Sequence, residues 1–362
     1  MDEILSEKES ETITNKCPNC GATLDYDIES GMLKCAHCGG TREIEQDDKV
    51  ERRELTEDIV KTHEKWHESS VFRCDGCGAK SVLDKKDISR ICPFCGNSNV
   101  VSIQELAGIK PDSVIPFQIT KDSALEKFRH WLNSRWLAPR KFKTADIRER
   151  VNGLYMSSWS FSASTTNIYS GTLGKNVTQV RRDGQGRMVT YTRTDWFRVN
   201  GQIDAAYADF VVQSGDRISP IMFSKIKPFD LKLLRVYRQE YLSGIIAEHY
   251  TRKLELCFNE FANYIRADIR RKIMRKHNAD CVGKLDIKTN YTDRKFNYIL
   301  LPVYIANYVY NNKTFNFFVN GASGVVVGKY PKSRLKIALI ALGVAAVAAG
   351  VAVAGYFLGW YG

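Results

Sequence analysis

The sequence predicts an α+β chain that ends in one transmembrane helix, and three observations predict it. Eight of the ten cysteines fall into four C-x-x-C pairs near the N-terminus. The middle of the chain mixes segments of helical apolar spacing with segments rich in Ser, Thr, Tyr, Val, Phe and Trp. Ile337 to Trp360 is a 24-residue run without a charge or a proline. At about 1.5 Å per residue that run reaches ~36 Å, enough to cross a ~30 Å hydrocarbon core. A length of 362 residues suggests two or three units at about 150 residues each. With 44% hydrophobic and 26% charged residues, the composition suits a packed core and excludes wholesale disorder.

The cysteines come first in order. Cys17-Pro-Asn-Cys20 is followed after fourteen residues by Cys35-Ala-His-Cys38, and Cys74-Asp-Gly-Cys77 after another fourteen by Cys92-Pro-Phe-Cys95. Each cysteine of the second set lies 57 positions after its counterpart, so the arrangement is a tandem duplication. In a chain this long, such spacing reads as metal binding in a reducing compartment rather than as a disulfide scaffold. A tight turn puts the two sulfurs of each pair on one side. The glycine that follows (Gly21, Gly39, Gly78, Gly96) lets the backbone fold back toward them. Zn²⁺ takes four such thiolates in a tetrahedron at ~2.3 Å, and iron is the alternative occupant of an all-sulfur site. The eight cysteines Cys17, Cys20, Cys35, Cys38, Cys74, Cys77, Cys92 and Cys95 are therefore the candidate ligands of two structural zinc ions. Four thiolates per ion leave no position open for water. His37 reads as a surface residue inside the second knuckle.

The resulting division is a zinc ribbon at 1–42, a charged helical connector at 43–70, a second ribbon at 71–102, a basic body at 112–330 and the anchor at 337–360. In the body, Ser123 and Glu126 read as a capping box that opens a helix running through Leu125, Phe128, Leu132 and Trp136 to Pro139. From Leu154 to Val212 an antiparallel sheet is expected, with turns at Gly171, Gly174, Asp183-Gly184, Asn200-Gly201 and Ser214-Gly215. A long helix follows over about 251–276, its stripe formed by Leu254, Phe258, Phe261, Ile265, Ile269 and Ile273. Strands over 281–291, 298–310 and 313–320 close the body, with Asn311-Asn312 as a hairpin turn. Cys257 and Cys281 read as packed residues.

Charge is distributed unevenly. Residues 1–110 carry a net −7 and residues 111–362 a net +19. Arg266, Arg270, Arg271, Lys272, Arg275 and Lys276 crowd the end of the long helix, a face suited to anionic lipid headgroups, to nucleic acid or simply to solvent. Lys329, Lys332, Arg334 and Lys336 precede the apolar run, and no cation follows it, so the positive-inside rule places residues 1–336 in the cytoplasm of a single-pass protein of the cell membrane. The N-terminus, Met1-Asp2-Glu3, does not read as a secretory signal. Ala346, Gly350 and Ala354, with Gly355 and Gly359, give the anchor a small-residue face on which two copies can associate.

Catalytic signatures are weak. His63-Glu-Lys-Trp-His67 matches H-E-x-x-H, in which two histidines one turn apart bind zinc and the glutamate activates water. Here the motif sits in a charged connector, with no third ligand beyond Asp75 and the ribbon cysteines in reach. There is no phosphate loop, since Gly324 to Tyr330 has the wrong spacing, and no G-x-S-x-G elbow. No catalytic residue and no small-molecule cofactor site is expected, and the protein reads as a non-enzyme.

Outside the cysteines, Ile115-Pro-Phe117, Trp136-Leu-Ala-Pro139, Pro228-Phe-Asp-Leu231, Tyr241-Leu-Ser-Gly-Ile-Ile-Ala-Glu-His-Tyr250, Leu301-Pro-Val-Tyr304, Phe318-Val-Asn-Gly321 and Pro331-Lys-Ser333 form a further pattern. With the tandem ribbons and the anchor, it resembles the bacterial TFIIB-type zinc-ribbon membrane proteins encoded with phage-shock-protein-A homologues and SPFH-domain proteins. These are often labelled primosomal helicases, but the chain carries no motor motif. The resemblance covers most of residues 15–336. It departs at Ser157-Ser-Trp-Ser160, where the family reads closer to Pro-Phe-Trp. It implies a membrane partner of phage-shock-protein-A-like or SPFH-type proteins in envelope stress, and supplies no catalytic residue. The functional expectation is a membrane-anchored adaptor whose zinc ribbons dock other proteins. A membrane-tethered nucleic-acid-binding protein is the alternative and a zinc peptidase the third reading.

Overall fold

The computed structural model describes residues 16–45, 50–56, 70–74, 80–83, 100–103, 110–143, 151–215, 218–311 and 313–357. The architecture is mixed helix and sheet, with a cysteine cluster at the N-terminal end and an apolar helix at the C-terminal end. Three small strands come first: β1 (Leu24–Asp27), β2 (Met32–Cys35) and β3 (Thr41–Arg42) form an antiparallel sheet in that order. The other described strands are built on three long ones. β9 (Val151–Arg182) is flanked by β10 (Met188–Gln213) and by β13 (Cys281–Tyr310), antiparallel to both.

The sheet grows along its edges by short strands. β4 (Arg53–Glu54), β8 (Ser113–Val114) and β14 (Lys313–Asn320) line up along the far edge of β13. β11 (Arg235–Val236) extends β8, and β15 (Val326–Gly328) extends β14. Below the point where β10 leaves β9, β12 (Ile246–Glu248) pairs with β9 in parallel. β12 in turn carries β6 (Lys80–Leu83), which pairs with β5 (Ser70–Cys74), and β5 with β7 (Val100–Ile103). The segment around the second cysteine set is thus hydrogen-bonded into the main sheet.

Alternation explains why one face is covered. Along the upper half of β9, Trp159, Phe161, Ala163, Tyr169 and Leu173 point to one side, opposite Val199 and Phe210 on β10 and Leu285 and Ile287 on β13. The helix α4 lies on them (Leu254–Lys276; the earlier helices are α1, Lys121–Asn133, α2, Arg140–Lys143, and α3, Pro220–Ile226). It buries Leu254, Cys257, Phe261, Ile265, Ile269 and Ile273. The expected stripe is therefore present, except that Cys257 occupies the place assigned to Phe258, which is half-buried. The Cys257 thiol is fully buried 3.7 Å from the Gln213 carbonyl oxygen, and burial pushes it up to about 11, so it stays a packed thiol.

Gly171, Gly174 and Asn200-Gly201 are not turns. They lie inside the long strands, and only Asp183-Gly184 closes the hairpin, with Asp183 accepting the amides of Gln185 and Arg187 at 2.9 Å. The glycines make room instead of breaking the strand. The Tyr169 hydroxyl lies 2.8 Å from where a Cβ of Gly201 would stand, and Trp196 lies 3.0 Å from that of Gly174. A Cβ on Gly171 would overlap the Lys284 carbonyl oxygen and come 2.9 Å from Leu285 Cα. Because that obstacle is backbone, Gly171→Ala is expected to cost ~1–3 kcal/mol as overpacking, read as a lowered thermal midpoint with zinc content unchanged. β13 likewise runs unbroken across the gap expected at 292–297. A bulge between Thr292 and Lys295, with Asp293 at φ 49°, absorbs the turn-like residues.

Helix α1 starts earlier than its sequence suggests. Thr120, not Ser123, is the N-cap, accepting the Ser123 amide at 3.3 Å. It also ends earlier, at Asn133, because Ser134 bonds back to the Trp131 carbonyl at 2.7 Å, which leaves Trp136 outside the helix and 63% exposed. The connector is not helical throughout: Arg53–Glu54 is strand β4, Leu55 is buried, and Arg53 holds Asp112 at 2.6 Å. The H-E-x-x-H residues His63, Glu64 and His67 lie outside the described residues, as does Asn312. Asn311 has φ 49°, as the hairpin between β13 and β14 requires. The last helix, α5 (Arg334–Phe357), leaves its apolar side chains outward, with Leu335 71% and Val347 68% exposed. It is long and apolar enough to cross a membrane.

Candidate metal centre

The cysteine cluster is built by two knuckles on neighbouring turns. In the first, Gly21 donates to the Cys17 carbonyl at 2.9 Å and Cys17 to that of Ala22 at 2.7 Å. In the second, Gly39 donates to Cys35 at 3.0 Å and Cys35 to Gly40 at 2.8 Å. Gly21 and Gly39 adopt φ of 72° and 73°, the left-handed conformation such a turn needs and a side chain resists. The hairpin of β1 and β2, with Leu24 opposite Cys35, holds the two knuckles together. Its own turn is closed by Asp27, which accepts the Ser30 hydroxyl at 2.7 Å, and by Gly31 at φ 69°.

As a result the sulfurs of Cys17, Cys20, Cys35 and Cys38 all lie within 4.8 Å of one another. Cys17 and Cys38 are 3.4 Å apart, Cys20 and Cys35 3.6 Å. Four thiolates at ~2.3 Å from one ion would sit about 3.8 Å apart, so this spacing fits a tetrahedral zinc and is far too long for a disulfide. The four thiols divide into two pairs. The Asn19 amide, against the opposing effect of burial, holds Cys17 below its ordinary value, and the Cys38 and His37 amides bring Cys35 down to about 6. Against the Ala22 and Gly40 amides, hydrogen bonds with the neighbouring cysteines and burial raise Cys20 and push Cys38 up to about 12. His37 contributes its backbone and keeps its ring exposed. Among the described residues this is the one group of three or more such side chains able to hold a metal.

Sequence reasoning missed Gly40. A Cβ there would stand 2.9 Å from Asn19 Nδ2 and 3.4 Å from the sulfurs of both Cys17 and Cys38. The Gly39-Gly40 pair was the available signal; the first glycine serves the turn and the second leaves room beside the sulfurs of Cys17 and Cys38. Of the second set, Cys74 is buried at the end of β5, in one apolar cluster with Leu154 and Ile246 of the body. Cys77, Cys92 and Cys95 lie outside the described residues.

The first cysteine unit is seated on the body. Tyr26 packs edge-on against Tyr241 at 5.5 Å, the Ser243 hydroxyl donates to the Leu24 carbonyl at 2.7 Å, and the Tyr26 amide donates to the Ser243 carbonyl at 3.2 Å. Leu24 and Leu33 are fully buried in the same core as Phe117 and Tyr155. This surface is therefore a fixed extension of the body. The basic residues of α4 are partly engaged within the fold. Arg271 and Lys272 both pair with Asp268, at 3.1 and 2.9 Å, and Lys276 stands over the Tyr169 ring, whereas Arg266, Arg270 and Arg275 are exposed.

No family model matches the chain, and no solved structure matches it. The uncharacterized protein YdjG of Bacillus subtilis (strain 168) is similar, 28% identical over 349 residues that cover 92% of this chain and 94% of that one.

Proposed function

We propose that the protein is a membrane-anchored adaptor: two structural zinc ribbons at its N-terminal side dock partner proteins, and α5 holds the body at the cytoplasmic face of the cell membrane as a single span. The observation that carries this reading is the closed four-sulfur cluster of Cys17, Cys20, Cys35 and Cys38 on a unit packed firmly against the body. Four protein ligands leave a zinc ion no position for substrate or water, so the metal's role is to shape a surface. The second ion is assigned to Cys74, Cys77, Cys92 and Cys95 by the repeated spacing. Orientation follows from Lys329, Lys332, Arg334 and Lys336 ahead of the span. Phage-shock-protein-A-like and SPFH-type proteins are the partners the sequence resemblance suggests, with envelope stress as the setting, and the small residues of the span offer a face for a second copy.

The exposed Arg266, Arg270 and Arg275 favour a second reading, a membrane-tethered nucleic-acid binder. Affinity capture of the full chain from native membranes in mild detergent, followed by mass spectrometry and nucleic-acid assay, separates the two. The adaptor predicts a protein recovered in fixed ratio. Retention of nucleic acid that falls steeply with salt would replace it with the tether.

A further inference from the structure

Two segments distant in sequence meet at the start of α5. The Ser333 amide donates to the Leu137 carbonyl at 2.9 Å, and the Lys336 ammonium donates to the carbonyls of Trp136 and Ala138 at 2.6 and 3.0 Å. The loop between α1 and α2 is thereby fixed beside the first turn of the apolar helix. Below it, Phe142 sits edge-on to Tyr308 at 4.8 Å and to Phe315 at 5.7 Å, and Trp131 to Tyr330 at 6.1 Å, so the loop is supported by the body. At its tip Trp136 is 63% exposed.

The charge around this junction is of one sign. Ser134–Lys143 and Lys329–Lys336 together hold eight Lys and Arg and no Asp or Glu. Of the eight, Arg135 lies over the Trp131 ring, Lys143 donates to the Asn133 carbonyl, and Lys336 is held as above. Arg140, Lys141, Lys329, Lys332 and Arg334 are exposed. An exposed tryptophan at the level where an apolar helix begins, with exposed cations on both segments that meet there, has the chemistry of the bilayer interface. Indole settles among headgroups, and lysine and arginine attract anionic lipid within about a Debye length.

We infer that the Trp136 loop, α2 and the segment 329–336 form a collar that seats the body on the anionic surface of the bilayer its own helix crosses. The inference rests on the reading of α5 as a membrane span. The collar, rather than the basic end of α4, makes the headgroup contact. α4 ends next to Cys281, where β13 starts, whereas Phe142 packs on Tyr308 and Tyr310, where β13 ends. At about 3.3 Å per residue the contour of a strand of this length is up to ~100 Å, so the two sites lie at opposite ends of the long sheet.

The test uses the full chain, labelled with 5-fluorotryptophan and placed in nanodiscs of phosphatidylcholine alone or mixed with phosphatidylglycerol. The Trp136→Phe variant identifies the Trp136 fluorine line. In the anionic discs, that line is expected to be broadened at least twofold by headgroup spin-labelled lipid and to be shielded from a soluble gadolinium chelate. The exposed Trp196 is expected to show the reverse. In neutral discs, and in anionic discs with Arg140→Gln plus Lys141→Gln, the lipid effect on Trp136 should fall by more than half. A Trp136 line that behaves like that of Trp196 in both discs would overturn the collar, and equal lipid broadening in both would overturn its dependence on anionic charge. The Trp360 line reads the span separately: if acyl-chain spin labels leave it untouched, the anchor reading fails and not the collar alone.

Discussion

Replacing Cys35 and Cys38 together by serine is expected to release one of the two zinc ions proposed above and to unfold the first ribbon. The effect is large because the metal, not the apolar core, holds a unit of this size. A stretch of about 40 residues buries too little surface to fold alone, whereas thiolate coordination supplies an apparent ~10 kcal/mol or more. Leu24, Tyr26 and Leu33 would then lose the hairpin that presents them to Tyr241, and protection of the Leu24 and Tyr26 amides from exchange should collapse with the metal. The second ribbon should stay intact, since β6 is held to β12 independently of these residues. The measurement is zinc per chain by elemental analysis together with hydrogen exchange. Retention of two ions would contradict two independent sites.

The second large effect concerns the anchor. A chain ending at Lys336 is expected to move wholly to the soluble fraction, while the full chain resists extraction from membranes by alkaline carbonate. The physical reason is the exposure of α5. Leu335, Leu342, Val347 and Val351 are each more than half exposed, a surface that water does not tolerate on a helix of 24 residues and hydrocarbon does. The body should keep its fold, because the ties to the loop of Trp136 come from Ser333 and Lys336, both retained. Protease added outside intact cells should find no cleavage before Tyr361, and cleavage within residues 1–330 would reverse the orientation.

What could be read in the sequence follows from how local each signal was. The first four cysteines were legible because a metal knuckle is a property of four neighbouring residues, repeated at a fixed offset. The α4 stripe was legible for the same reason. Its end Lys276 and four of its inner positions, Phe261, Ile265, Ile269 and Ile273, stand as the spacing placed them. The strands were less so, because Gly171, Gly174 and Gly201 serve neighbours that sequence does not place beside them, namely Lys284, Trp196 and Tyr169. β12 is three residues long and gains its role only from Leu154 on one side and Val82 on the other, so nothing local announces that the segment around Cys74 joins the main sheet. Trp136 continued an apolar period past the point where Ser134 ends the helix. Periodicity does not register a hydroxyl closing a turn, nor a lysine 200 positions away taking the carbonyls of Trp136 and Ala138.

The proposed adaptor works through metal-shaped surfaces and not through a reacting group. The most direct measurement is the membrane capture experiment carried out side by side on the unmodified chain, on Glu64→Gln, and on the Cys35→Ser, Cys38→Ser double variant, with zinc content and localisation measured on each. Glu64 is the base of any H-E-x-x-H peptidase, and removing it would cost such an enzyme orders of magnitude in rate. Glu64→Gln is expected to recover the same partner in the same ratio with two zinc ions, and the cysteine variant to reach the membrane but lose the partner, with one ion. A Glu64→Gln chain that localises and binds zinc normally yet loses function, beside a cysteine variant that keeps its partner, would contradict the adaptor.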